Sequence, residues 1–151
     1  MDNTREAQIF FVGSTIASLV GAILMLATDF GGWYIYGVEY GYIYANFTIT
    51  GIIIILMDIM FWLCFFISIA ALAKPDILPD NALRSGLYLA LVILILTIIG
   101  ASIFAVEMID LDPTNWWLDA SFYGALIGSI LTVIFFYLAL LRMEISPIPK
   151  L

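Results

Sequence analysis

Residues 47–73 read FTITGIIIILMDIMFWLCFFISIAALA, and Asp58 is the only charged residue among them. A helix needs about 20 mostly apolar residues to cross the hydrocarbon core of a bilayer. This stretch exceeds that length and predicts a membrane span. Three more blocks of the same kind flank it, at about 8–28, 85–106 and 118–141. Overall the 151 residues are 64% hydrophobic and 11% charged, whereas a soluble domain carries about 25% charged residues. The expected fold is all-α: one domain over 1–151, built as a four-helix transmembrane bundle. The first block is long enough to span and no cleavage site follows it, so it is expected to stay as a span.

The connections set the orientation. All five cations, Arg5, Lys74, Arg84, Arg142 and Lys150, fall in the N-terminus, the second connection or the tail. With four spans those segments share one side, and the positive-inside rule assigns that side to the cytoplasm. Both termini of a multi-pass cell-membrane protein are therefore expected inside. The opposite side carries Asp29, Glu39, Glu107, Asp110, Asp112 and Asp119 without a base, which accounts for most of the net charge of −7. Pro75 and Pro79 block helix continuation through the second connection. Pro147 and Pro149 predict an extended tail.

In the first connection, residues 33–44 read WYIYGVEYGYIY. Tyr34, Tyr36, Val38, Tyr40, Tyr42 and Tyr44 share one parity, and a period of two is the strand signature. Gly37 and Gly41 permit a turn, so a small extracellular β-hairpin or ribbon is expected over the helices. The competing reading is an interfacial belt, since tryptophan and tyrosine gather at membrane boundaries. That reading takes the larger share of Trp33, Trp116 and Trp117. Together these aromatics form the candidate outer contact surface. Asn46-Phe47-Thr48 matches a short N-glycosylation sequon.

Helices in lipid associate by close packing, so small residues mark contacts. Gly13, Ala17 and Gly21 recur every four residues in the first span, and Gly124 and Gly128 form a GxxxG pair in the fourth. Packing within one chain is preferred to a homodimer face. Asp58 is costly at mid-span, by roughly 2.5–3.5 kcal/mol on insertion scales, and is by default a functional candidate. Ser18, Thr97, Ser129 and Thr132 lie at comparable depths as prospective partners. The plainer reading is a protonated carboxyl acting as interhelix glue, and a third is pairing with a base on another subunit.

No catalytic set stands out. Histidine is absent and Cys64 is the one cysteine. That removes His-based acid–base chemistry, His-ligated haem and cysteine-rich metal sites. No cofactor is expected, and the negative charge gives no surface for nucleic acid. Glu107, Asp110 and Asp112 offer oxygen ligands for weak cation binding at the outer face, but their spacing matches no calcium loop.

In layout the chain resembles the claudin and peripheral-myelin type of four-span protein. Trp33, the alternating tyrosines and Gly41-Tyr42-Ile43 occupy the region of that family's tryptophan and Gly-Leu-Trp signature. The first outer loop is shorter here, the signature tryptophan is replaced and the paired cysteines are missing. The resemblance implies a structural or adhesive role and carries over no functional residue. Expected partners are the lipid bilayer and other membrane subunits or a second copy. The two functions that follow are a non-enzymatic contact protein (an accessory subunit or claudin-like assembly protein) and a small cation or proton carrier using Asp58.

Overall fold

The computed structural model describes residues 3–42, 49–73, 78–113 and 115–147. Four helices dominate: α1 (Asn3–Ala27), α2 (Ile49–Ala73), α3 (Asp80–Leu111) and α4 (Ala120–Arg142). Each is long and apolar enough to cross a membrane. They form a ring in which consecutive helices pack together and α4 closes on α1.

The sequence-based bounds differ from the helices mainly in the third span. α3 starts at Asp80, directly after Pro79, whose φ of −65° and ψ of 147° set the boundary. It runs 32 residues to Leu111 and stops where Asp112 turns left-handed at φ 45°. Glu107 and Asp110, expected in a loop, are therefore helical. Nothing in residues 107–111 breaks a helix, so charge alone was a poor stop signal.

Small residues close the bundle. A side chain at Gly13 would press on the Phe135 ring, one at Gly21 on Phe61, and one at Gly124 on Leu24. Gly128 faces the Ala17 carbonyl and the Gly21 Cα, and Ala17 itself is buried. The glycines thus serve contacts between helices of one chain. Large rings fill the space between helices: Phe136 lies against Gly86, and Phe11 and Phe136, both fully buried, meet edge to face at 6.0 Å. Two polar staples add to this packing. Ser68 donates to the Cys64 carbonyl at 2.8 Å, which leaves Ser14 to donate across to the Ser68 oxygen at 2.7 Å. Ser121 reaches the Thr28 carbonyl at 2.6 Å and joins α4 to the end of α1.

A three-stranded antiparallel sheet caps one end. Its strands are β1 (Gly31–Ile35), β2 (Val38–Tyr42) and β3 (Asn115–Leu118), in the order β2-β1-β3. The hairpin of β1 and β2 answers to the ribbon expected from the first connection. The third strand comes from the other connection at this end and was not foreseen. Its four residues, NWWL, are too few to show a period, and their pairing is set by chain that is distant in sequence. At the opposite end, where α1 begins and α4 ends, the chain after α4 folds back: Arg84 donates from Nε to the Ser146 carbonyl at 2.8 Å, and the Tyr88 hydroxyl donates to the Pro147 carbonyl at 2.8 Å. The described tail to Pro147 is thus not helical and is docked on α3.

Candidate functional site

Two regions are candidates: the sheet and the Asp58 carboxylate. In the sheet, Ile35 pairs with Val38, so only Tyr36 and Gly37 form the turn. Both have positive φ, 52° and 81°, which is the backbone of a primed two-residue hairpin turn matched to strand twist. Gly37 takes this conformation freely. Tyr36 does not: left-handed backbone costs a residue with a Cβ roughly 1–2 kcal/mol. Its ring is 98% exposed, so no packing compensates at that position.

The two-residue turn has a second consequence. Trp33 pairs with Tyr40 and Tyr34 with Glu39, so residues of even number in β1 share a face with residues of odd number in β2. The tyrosines expected on one surface are divided between two. One face packs on α3. There Trp33 stacks on Tyr40 at 5.7 Å, and both Trp33 and Trp116 meet the buried Phe104 ring, at 6.3 and 5.9 Å. Gly31 lets the sheet settle on Phe104, because a side chain there would collide with that ring. On the other face Tyr34 lies 5.4 Å from Trp117 and donates its hydroxyl to Glu39 at 3.0 Å. Tyr42 pairs through its backbone with Gly31; its side chain, Tyr44 and the sequon at Asn46 lie outside the described residues.

Trp116 and Trp117 are thus strand residues with rings on opposite faces of the sheet. Gly31, Gly32 and the apex role of Tyr36 escaped the sequence reading. The Gly31-Gly32 pair directly before Trp33 was the available signal.

Acids cluster beneath the sheet. The Asp29 carboxylate lies against Gly41, where a side chain would clash. Burial, followed by the charges of Asp119 and Glu39, pushes its pKa above the usual carboxylate value. The Tyr34 phenol is also raised, chiefly by its hydrogen bond to Glu39. Asp119 caps α4, accepting from the Ala120 amide at 2.7 Å. Among the described residues no group of three or more His, Cys, Asp or Glu side chains is arranged to hold a metal ion.

Asp58 lies nine residues into α2, about 14 Å along its axis. With Met25, Leu26, Ile54 and Ile55 it lines a cavity of about 180 Å³ between α1 and α2. Its Oδ1 is enclosed, and no described residue donates to it. The four hydroxyls expected around it turn elsewhere. Ser18 donates to the Ser14 carbonyl at 2.7 Å, Thr97 to Ile93 at 2.8 Å, Ser129 to Leu126 at 3.0 Å and Thr132 to Gly128 at 2.7 Å. All four are buried in the bundle, and each bonds a carbonyl of its own helix, a partner always within reach of a helical serine or threonine. A second carboxylate at the sheet end is also incompletely paired. Glu107 accepts a long bond from Thr50, 3.5 Å, through Oε1, while its enclosed Oε2 has no donor among the described residues.

Compared with known proteins, the chain matches no protein family, no curated protein and no solved structure.

Proposed function

We propose that this chain is a non-enzymatic, multi-pass protein of the cell membrane that works through contacts, as an accessory subunit of a larger membrane complex or as a claudin-like assembly protein. The observation that carries this reading is Tyr36, a 98% exposed ring at the apex of a hairpin with φ 52°. Hairpin geometry favours asparagine, aspartate or glycine at such a position. Retained strain on a rigid element is a pointer to function, and an exposed aromatic is the kind of side chain that anchors protein interfaces. Val38, Tyr40 and Trp116 extend the exposed apolar surface beside it. By the positive-inside rule this sheet faces outward and both termini lie in the cytoplasm. Weak cation binding at the acidic outer rim remains part of the proposal.

The test is gentle extraction from native membranes followed by measurement of the particle's mass. The expected result is an assembly heavier than one chain with its detergent, and Tyr36→Ala releases the lone chain. A stable monomer without partners contradicts the proposal. The second reading, a small cation or proton carrier, draws on the enclosed and undonated Oδ1 of Asp58. It requires cation flux in reconstituted liposomes that Asp58→Asn abolishes.

A further inference from the structure

A partner within the bilayer needs a side of the bundle to dock on, and the seam between α1 and α2 offers one. Three of its features belong together. The seam holds a cavity of about 180 Å³. The cavity wall includes Asp58, whose Oδ1 is enclosed with no donor among the described residues. Leu26 and Ile55, which line the same cavity, are 45% and 36% exposed, so this wall continues onto the outer surface of the bundle. A carboxylate in hydrocarbon is stabilised by pairing, and the buried hydroxyls of Ser18, Thr97, Ser129 and Thr132 are already bonded to carbonyls of their own helices.

A second copy of the chain cannot complete this site by charge. Among the described residues the cations Arg5, Arg84 and Arg142 fall in the first or last two turns of their helices, at the end away from the sheet and from Asp58, so two copies meeting at this seam would bring carboxyl against carboxyl. Resting on the contact reading, we infer that the α1/α2 seam receives a transmembrane helix of a different protein, one that carries a lysine or arginine near mid-bilayer. That base would pair with Asp58 from the partly exposed side of its carboxyl, Oδ1 itself being enclosed, while apolar side chains on either side of the base cover Leu26 and Ile55. Each charge is costly in lipid by itself, which makes the pair selective: the helix that supplies the base gains more from this seam than from bare bilayer.

The experiment uses the full chain in liposomes with synthetic transmembrane helices of leucine and alanine. One helix carries a single central lysine, a second a central leucine, and a third the lysine two turns from the centre. Association is read by energy transfer between labels. The central-lysine helix is expected to bind roughly tenfold tighter than the leucine helix, with the displaced lysine weaker. Asp58→Asn, a near-isosteric change, brings the central-lysine helix down to the leucine level. Asp58→Lys paired with a central-glutamate helix restores the preference.

Equal binding of the lysine and leucine helices overturns the inference, as does a lysine preference that survives Asp58→Asn. Competition by unlabelled copies of the chain as effective as that of the lysine helix would make the occupant a second copy, and also overturns it. If the preference fails while the native assembly persists through Tyr36, only this inference falls. If the chain is a lone monomer in native membranes, the contact reading itself falls.

Discussion

At the end of the bundle away from the sheet, Arg142 meets Glu6 at 3.1 Å, and Arg84 bonds Asn81 at 3.1 Å and the Ser146 carbonyl at 2.8 Å. At the sheet end Asp29, Glu39 and Asp119 crowd together without a basic residue, and large rings stand exposed beside them. One end sets its bases against an acid, an amide and a carbonyl of the same chain. The other accepts strain at Tyr36 and repulsion at Asp29, and it is built on a sheet seated on the Phe104 ring. Such a contrast locates the surface where interactions with something else are to be sought.

The largest effect that separates the two ends is expected from Gly31→Leu. Its side chain would drive into the Phe104 ring and the Trp117 carbonyl, and overpacking of this kind costs about 1–3 kcal/mol. Unfolding in mixed micelles, with near-ultraviolet circular dichroism following the tryptophans, should show both the loss of stability and a loosened sheet. Unchanged stability would mean that the sheet is not seated on α3.

Tyr36→Asn should act in the opposite sense. It relieves the left-handed backbone and stabilises the hairpin by up to about 1 kcal/mol, while weakening assembly. A variant both less stable and less able to assemble would mean that the ring supports the fold and not an interface.

Acid sharpens the comparison next. The folded-state pKa of Asp29 is raised, mainly by burial and then by Asp119 and Glu39. The protonated form therefore suits the fold. Its contribution is fully present below the ordinary carboxylate value and is lost as pH rises through the raised one. Stability of the sheet end should fall across that window in the wild type, and Asp29→Asn should flatten the fall. A profile unaltered by the substitution would show that Asp29 is not its source.

The smallest effect belongs to the end away from the sheet. Arg142 is 53% exposed in its pair with Glu6, and exposed pairs contribute roughly 0–1 kcal/mol. Arg142→Ala should leave the same unfolding transition nearly unmoved. A large loss would mean that this end is held by charge after all.

The four spans were legible because a bilayer sets a minimum length that a sequence must display openly. The hairpin was legible from Gly37 and the alternation around it, but its faces were not. A single register choice, Ile35 opposite Val38, inverts the parity of everything after the turn. The strand at Trp116 and Trp117 depended on pairing with residues more than eighty positions away, which no local pattern announces. Asp58 was conspicuous as the charge in an apolar block. Its surroundings were not, because Ser18, Thr97, Ser129 and Thr132 had carbonyls of their own helices within closer reach.

The most direct test of the contact account puts a photo-crosslinking residue at position 36 of the full chain in intact native membranes, with a control at Ile9, which is 59% exposed on α1. The account predicts a discrete heavier protein adduct from position 36 and only lipid adducts from position 9. Lipid or no adduct from position 36, with the same result from positions 38 and 40, would contradict it.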